Sequence, residues 1–302
     1  MQAAGTRYIY YPSRSDTFRI WAVADIHLGS SACHKRLFER HLREIADDPF
    51  ALWVGLGDYC DHIGYRDRRF DPRCVDADIL PTPLLGDADR VLIRHMADYF
   101  KPIAHKCLGL AYGNHERAAM TMREQQGLHA WLCSEIAVPD LGYSFLMDVA
   151  FTRKPDCKKL AGRVHYGRPD DLPANAIAST MSMRVFGHHG AGGATTSGGK
   201  HNRLRKFMDG FDADVYLIAH VHDQQVTKRP SVGADRTCTQ LRERLRIGSI
   251  TGGYLRSYPQ GTAASYTEAA GYDAVPLGAA IIEVVPDKRE LSLTLTAEMT
   301  HL

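Results

Sequence analysis

Residues 18–27 read FRIWAVADIH, an apolar run that stops at an aspartate, with a histidine two positions later. The β-branched and aromatic residues of this run predict a buried strand. Two later apolar runs end on polar residues in the same way; they are FALWVGL at 50–56, before Gly57-Asp58, and CLGLAY at 107–112, before Gly113-Asn114. A helical pattern follows each run, at about 37–45, 86–101 and 117–136. The alternation predicts a sheet built from β-α-β units.

The second half of the chain has more predicted strands and fewer predicted helices. Strand-like runs lie at 142–151, 182–187, 214–219, 245–250, 278–285 and 290–296. One helical pattern, at about 201–209, lies among them. This arrangement predicts a mixed, partly antiparallel sheet. We expect a single domain over residues 1–302, with a loop insertion at 61–84 and C-terminal strands within 224–302 that complete the sheet.

Composition places the chain among globular proteins. Of the 302 residues, 44% are hydrophobic and 24% are charged, which is near the globular average and argues against disorder. The 37 basic and 35 acidic residues give a net charge of +2, so general electrostatic binding to polyanions is not expected. The seven cysteines are widely spaced and form no C-x-x-C motif, which argues against a disulfide framework or a zinc ribbon.

Targeting and membrane signals are not evident in the sequence. The first residues, MQAAGTRYIYYPSRSD, contain no apolar stretch of the kind found in signal peptides. No run of 18 apolar residues occurs, so no membrane span is expected. We therefore expect a cytoplasmic protein with no membrane partner. The sequence does not indicate an oligomeric state.

Polar side chains follow five of the predicted strands at the point where each strand ends. They are Asp25 and His27, Asp58, the run Asn114-His115-Glu116, the pair His188-His189, and His220 with His222. The carboxyl ends of strands in open α/β sheets form the ligand crevice, so these groups are expected at one edge. A lone histidine is usually an ordinary hydrogen-bonded imidazole, but five such groups at five strand ends predict a shared site.

The chemistry of these side chains indicates a metal site. The set contains carboxylates, a carboxamide and several imidazoles but no thiol, which suits Mn²⁺, Fe or Zn²⁺ better than a thiolate or an all-oxygen Ca²⁺ site. D-x-H and H-x-H each place two ligands on the same side of an extended segment, because side chains alternate along a strand.

The order of these motifs resembles the calcineurin-like metallophosphoesterase superfamily. D-I-H, G-D-Y, G-N-H-E, a single histidine and H-V-H follow one another over about residues 19–223, and G-N-H-E is the most distinctive of them. The resemblance implies an α/β fold in which mixed β-sheets are sandwiched by helices, a four-layer α/β/β/α arrangement. It places the metal site at the carboxyl-terminal ends of the strands.

The resemblance also implies a centre of two divalent ions, with Mn²⁺ preferred and Fe or Zn²⁺ as alternatives. The ligands of the first ion would be Asp25, His27, Asp58 and His222. Asp58 would bridge to the second ion, whose other ligands would be Asn114, His188 and His220. Hydroxide held between the two ions would attack phosphorus, and His115 would be the general acid for the leaving alkoxide.

The sequence departs from the superfamily pattern at three places. Ala219 stands where G-H-x-H has glycine, a change too small to disturb the ligands. His188 and His189 are adjacent and would point to opposite faces of an extended strand; we prefer His188 because it directly follows Gly187. Asp61 is followed by His62 rather than by Arg-Gly, so the arginine of the protein Ser/Thr phosphatase branch has no match here.

Other residues are candidates for supporting roles. Asp61 and Glu116 would orient His115 or a metal-bound imidazole, and Asp223 would act similarly beside H-V-H, although each suits an ordinary solvated carboxylate equally well. The loop after Asp58 and the Gly-rich loop at 190–200 offer candidate phosphate contacts, which are Arg66, Arg68, Arg69, Arg73, Lys200, His201 and Arg203. A charge-rich exposed loop is the commoner explanation for the first segment, and a plain flexible connection explains the second at least equally well. Four tyrosines suit base stacking or core packing; they are Tyr254, Tyr258, Tyr266 and Tyr272.

The leading functional hypothesis is a metal-dependent phosphoesterase that hydrolyses phosphomonoesters or phosphodiesters, such as nucleotides or small diesters. A nuclease-type phosphodiesterase of the same superfamily is the first alternative, and a protein phosphatase is a weaker one. A non-catalytic metal-binding scaffold on the same fold is the alternative of a different class. The complete ligand set and the presence of His115 favour the enzyme. A mononuclear zinc hydrolase would leave Asn114 and a histidine pair unexplained.

Overall fold

The computed structural model describes residues 1–64, 67, 69–81, 87–122, 127–155, 160–167, 180–193, 196–235, 237–260 and 263–298. Within these residues the chain forms two six-stranded sheets and six α-helices. No helix in this part of the chain has the length and apolar character needed to cross a bilayer.

The first sheet carries the strands predicted from residues 18–112. Its order is β12-β11-β2-β3-β4-β5, with β2 to β5 parallel and β11 antiparallel to both of its neighbours. The strands are β2 (Phe18–Val23), β3 (Ala51–Gly55), β4 (Cys107–Ala111), β5 (Asp140–Gly142), β11 (Ala280–Val285) and β12 (Glu290–Leu295). The last two strands complete this sheet.

The second sheet is mixed. Its order is β1-β6-β7-β8-β10-β9; β1 is parallel to β6, β7 and β10 are both parallel to β8, and the other two pairs are antiparallel. The strands are β1 (Gln2–Tyr11), β6 (Ser144–Arg153), β7 (Met181–His188), β8 (Val215–Ile218), β9 (Gln224–Ala234) and β10 (Leu241–Thr251).

Helices cover the outer face of each sheet. The six helices of the described residues are α1 (Lys35–Asp47), α2 (Ala88–Phe100), α3 (Asn114–Met122), α4 (Leu128–Glu135), α5 (Ser197–Gly210) and α6 (Tyr266–Ala269). Helices α1, α2 and α4 bury apolar residues against the first sheet, whereas α5 packs Leu204 and Met208 against the second. In α1 the buried residues recur at helical spacing, from Leu37 and Phe38 to Leu42 and Ile45.

Side-chain alternation in the strands explains why the two sheets pack face to face. Ile20 and Ala22 of β2 point into the core between the sheets, while Trp21 and Val23 point towards the helices. Both faces of β2 are therefore buried, which is why its sequence is an uninterrupted apolar run. The predicted four-layer α/β/β/α sandwich is confirmed.

Three details of the fold differ from the sequence-based expectation. Strands β1 and β9 were not predicted, because β1 contains polar residues and β9 is a largely exposed edge strand that contains Pro230. The helix predicted at 117–136 is two helices, and Gly127, in a left-handed conformation, precedes the second. The loop predicted at 190–200 ends earlier, because Thr196 caps the first turn of α5.

A buried lysine closes the carboxyl end of α1. The Nζ of Lys106 donates to the carbonyl oxygens of Ile45, Ala46 and Asp48 at 2.6, 2.8 and 2.8 Å, and Lys106 is 4% exposed. The carbonyls of Ile45 and Ala46 have no partner within the helix, whereas that of Asp48 also accepts the N–H of Ala51. A cation there satisfies the first two and opposes the negative end of the helix dipole.

We predict that Lys106→Met lowers the free energy of unfolding by about 2–3 kcal/mol, because it removes charge-assisted hydrogen bonds and leaves buried carbonyls unpaired. Chemical denaturation measures the change. Lys101→Met, at a half-exposed lysine, is the matched control and should cost less than about 1 kcal/mol. Equal losses in the two variants would contradict the capping role of Lys106.

Candidate metal centre

The polar residues that follow five strands lie together at one edge of the sandwich. Asp25 and His27 follow β2, Asp58 follows β3, and Asn114 with His115 begins α3 directly after β4. In the second sheet, His189 follows β7, while His220 and His222 follow β8. Their ligand atoms form three overlapping groups, each within 4.8 Å: Asp25, His27 and His222; His27, Asp58 and His115; and Asp58, His189 and His220.

The backbone at this edge is held in an unusual conformation. Nine non-glycine residues of the described chain have positive φ, and five of them belong to the three groups: Asp25, His27, Asp58, His220 and His222, with φ from 48° to 73°. Such conformations cost free energy and tend to cluster at functional sites. Here these conformations turn the chain sharply after β2, β3 and β8, so that the side chains of these five residues point into the same cluster.

The first group contains a buried carboxylate oxygen with no hydrogen-bond partner. Oδ2 of Asp25 accepts the backbone N–H of His220 at 2.8 Å, but Oδ1 has no partner and lies 3.5 Å from Nε2 of His222. Nε2 of His27 lies 3.2 Å from Nε2 of His222. A fully buried carboxylate oxygen without a partner is energetically costly. A cation bound between this oxygen and the two imidazole nitrogens would remove that cost.

The second group shares a carboxylate with its neighbours. Oδ2 of Asp58 lies 3.2 Å from Nε2 of His189 and 3.9 Å from Nε2 of His27, so it stands between the two halves of the site. Oδ1 of Asn114 lies 3.0 Å from Nε2 of His189. The donor set of carboxylate, carboxamide and imidazole suits divalent Mn, Fe or Zn. The residues therefore fit two divalent ions.

The structure brings His189, rather than the predicted His188, into the third group, with Asp58 and His220. His188 is the last residue of β7 and shares a face with Phe186, so its ring packs 4.7 Å from the ring of Phe207 on α5. Its Nδ1 accepts the N–H of Gly190 at 2.7 Å. His189, the first residue past the strand, is fully buried and points to the other side. The structure therefore places the His189 ring in the cluster and the His188 ring against α5.

His115 lies inside the cluster. Its ring centroid is 4.6 Å from that of His27, with the two rings nearly perpendicular. Its backbone N–H donates to Oδ1 of Asp58 at 2.8 Å, and its Nδ1 contacts the carbonyl oxygen of Asp61. With Nδ1 engaged by that carbonyl, Nε2 is the ring nitrogen left to face the other groups.

The supporting carboxylates have different roles. Asp61 accepts from Nδ1 of His27 at 3.1 Å, as expected of a residue that orients an imidazole. Glu116 instead accepts the backbone N–H groups of Asp58, Tyr59 and Gly113 at 2.7–2.9 Å, and so joins the loops after β3 and β4.

Asp223 pairs with Lys200, whose Nζ lies 3.2 Å from its Oδ2. In the structure Glu116 thus binds backbone N–H groups of two loops, and Asp223 forms an ion pair with Lys200.

Two glycines allow the loops after β3 and β4 to touch. A Cβ on Gly57 would lie 2.3 Å from the backbone nitrogen of Gly113, and one on Gly113 would lie 2.1 Å from Oδ1 of Asp58. The G-D and G-N pairs in the sequence are thus a packing requirement. Their roles were not assigned from the sequence, although the glycine before each ligand was visible.

The electrostatics of the cluster favour bound positive charge. Burial opposes ionisation of Asp58, yet the imidazoles of His189 and His115 hold the pKa of this carboxyl well below its usual value. Burial alone would lower the pKa of His189, but the carboxylates of Asp58 and Asp25 raise it to about 9. Both effects follow from ionised carboxylates that face the same small volume.

A sequence profile decides the family. The profile described as calcineurin-like phosphoesterase matches residues 18–224, which is more than two thirds of the chain. The chain belongs to the calcineurin-like phosphoesterase family. It is accordingly a metal-binding hydrolase that acts on phosphoester bonds. None of the curated proteins matches the chain.

Solved structures with a detectable likeness include three from different organisms. One is a conserved uncharacterized protein, a predicted phosphoesterase, from Streptococcus pneumoniae TIGR4 (11% identity, 89% of this chain and 84% of that chain, TM-score 0.31). A Vps29 double mutant from Entamoeba histolytica has 10% identity, coverage of 92% and 98%, and a TM-score of 0.34. A metallophosphoesterase from Sphaerobacter thermophilus has 11% identity, coverage of 94% and 90%, and a TM-score of 0.34. These TM-scores and identities are too low to assign a function to the chain.

A cavity of about 420 Å³ opens beside the metal cluster of this phosphoesterase. The candidate phosphate contacts Arg69 and Lys200 line it, and so does Tyr272. Six residues that line it were not singled out from the sequence, because no local pattern marks them: Ser257, Thr267, Ala270, Gly271, Asp273 and Val275.

The remaining candidates lie elsewhere or are not described. Tyr254 is buried beside Phe38, and Arg73 pairs with Asp71 at the surface. Tyr258 donates to the carbonyl oxygen of Tyr272, and Arg203 donates to that of Gly192. Arg66 and Arg68 lie outside the described residues, and so does the side chain of Tyr266; His201 is half-buried on α5.

The two adjacent histidines provide a matched test of the phosphoesterase site. We predict that His189→Ala loses about one equivalent of bound metal per chain, whereas His188→Ala retains the metal content of the unaltered protein. Elemental analysis after Mn²⁺ loading measures both, and circular dichroism confirms folding. Metal loss in His188→Ala with full retention in His189→Ala would reverse the assignment.

Proposed function

We propose that this phosphoesterase hydrolyses phosphomonoester or phosphodiester bonds at a centre of two divalent ions, with Mn²⁺ preferred. The observation that supports this most is the convergence of Asp25, Asp58 and five imidazoles in three overlapping groups, one of which contains the unpartnered Oδ1 of Asp25. We also propose a single domain, since both sheets bury their inner faces in one shared core.

The proposed ligands divide into two sets that share Asp58. One set is Asp25, His27, Asp58 and His222, and the other is Asp58, Asn114, His189 and His220. Two divalent ions bound there would polarise the phosphoryl oxygens and activate water for in-line attack.

Hydrogen bonds at Nδ1 orient two of the imidazoles. Nδ1 of His27 is held by Asp61 at 3.1 Å, and Nδ1 of His189 is held by the carbonyl oxygen of Leu56 at 2.7 Å. With Nδ1–H donated in both rings, the Nε2 lone pairs point into the cluster. Glu116 keeps the Asp58 and Asn114 loops in register.

His115 is the proposed general acid. Its buried ring lies against His27, and its contact with the Asp61 carbonyl leaves Nε2 to face the reacting ester. A proton held at that nitrogen would pass to the leaving oxygen as the P–O bond breaks. Substrate would enter through the 420 Å³ cavity, which His115 lines.

The activity itself is tested with metal-loaded protein and three substrates. We expect metal-dependent release of p-nitrophenol from bis-p-nitrophenyl phosphate or p-nitrophenyl phosphate. Single-stranded DNA tests the nuclease alternative. Failure on all three substrates, with two metals per chain verified by elemental analysis, would contradict the proposed function.

We predict that His115→Ala retains its metals but loses about 10²- to 10⁴-fold in kcat on esters with poor leaving groups, because these need protonation. The loss should be smaller for p-nitrophenyl esters, whose leaving group is stable as an anion. His105→Ala, at an exposed histidine, is the control and should keep full activity. An equal loss on good and poor leaving groups would argue against the acid role.

A further inference from the structure

Lys200 and Arg69, the lysine and the arginine that line the cavity among the described residues, are each paired with a carboxylate. Lys200 lies in the first turn of α5, and its Nζ is 3.2 Å from Oδ2 of Asp223, with the side chains 10% and 14% exposed. Asp223 is itself anchored, because its Oδ1 accepts the N–H of Gln224 and its Oδ2 accepts from Nε2 of Gln225. The pair is thus fixed in place and electrically neutral.

Arg69 on the same cavity is neutralised in a similar way. Its Nε and Nη2 donate to the two carboxylate oxygens of Asp67 at 3.1 and 2.8 Å, a two-pronged pairing. A further carboxylate, Asp273, also lines the cavity. Among the described residues of the cavity wall, every lysine and arginine therefore has a carboxylate beside it, and no surplus cation remains.

This charge pattern discriminates between ester classes. A phosphomonoester carries close to two negative charges at neutral pH, whereas a phosphodiester carries one. Ions at the metal cluster would attract both classes of ester. Whether the additional negative charge of a monoester is stabilised therefore depends on the charges of the cavity wall. A wall with paired cations and an extra carboxylate disfavours the more highly charged ester.

We propose that the site selects phosphodiesters over phosphomonoesters, and that the Lys200–Asp223 pair determines this specificity. The inference rests on the proposed function. The second ester arm would lie along the less polar part of the cavity, where Val221, Val275 and the ring of Tyr272 form the wall. A volume of about 420 Å³ is within the range of ligand pockets and exceeds what a phosphate group alone requires.

The primary measurement compares kcat/KM for bis-p-nitrophenyl phosphate and p-nitrophenyl phosphate on one Mn²⁺-loaded preparation. We expect the diester to be preferred by about tenfold or more. Equal rates or a preference for the monoester would overturn the inference while leaving the proposed phosphoesterase function standing.

Two substitutions test the role of the ion pair. Asp223→Asn leaves Lys200 unpaired and should lower the diester-to-monoester ratio about fivefold, whereas Lys200→Met leaves Asp223 unpaired and should raise it by a similar factor. Opposite shifts are the expected signature of a charge effect. Shifts in the same direction would indicate a structural role only and would overturn the proposal.

A binding measurement gives a readout that does not depend on turnover. Isothermal titration in alkaline buffer (about pH 8.5) with phenylphosphonate, which is a dianion at that pH, should show about fivefold tighter binding to Asp223→Asn and about fivefold weaker binding to Lys200→Met than to the unaltered protein. Asp209→Asn and Lys206→Met make the same charge changes at exposed positions of α5 and should leave both readouts unchanged. Unchanged affinity in the Asp223 and Lys200 variants would contradict the inference, even if no substrate were hydrolysed.

Discussion

The position of the Asp58 carboxylate is the constraint on which the site depends. One of its oxygens accepts the N–H of His115, and the other lies between His189 and His27, so it touches both halves of the cluster. Its own backbone N–H is held by Glu116, and its loop packs directly on Gly113. Displacement of this carboxylate would separate the groups contributed by the first sheet from those contributed by the second.

The sandwich provides the rigidity that such an arrangement needs. Five residues of the cluster have left-handed backbone conformations, and each is adjacent to strands or loops tied by buried hydrogen bonds. The N–H of Asp25, for example, donates to the carbonyl oxygen of Gly57, which links the loops after β2 and β3. The apolar strands thus form the core and also position the site, because each of them ends where the chain turns towards the cluster.

The sequence predicted the features that depend on local pattern. The apolar runs marked the strands of the first sheet, and the polar residues after them proved to lie at one edge. The choice between His188 and His189 was not predictable, because it depends on whether β7 ends before or after residue 188. Strands β1 and β9 escaped prediction because half-exposed strands lack a continuous apolar run. The contacts of Glu116 and Asp223 join distant segments, and no local pattern encodes them.

We propose that Asp58 lies between two divalent ions held by this chain's own residues. Anomalous diffraction from crystals of the Mn²⁺-loaded protein tests it most directly. The account predicts two peaks that share Asp58, one beside Asp25, His27 and His222 and the other beside Asn114, His189 and His220. A single fully occupied peak, or a second peak beside His188, would contradict it.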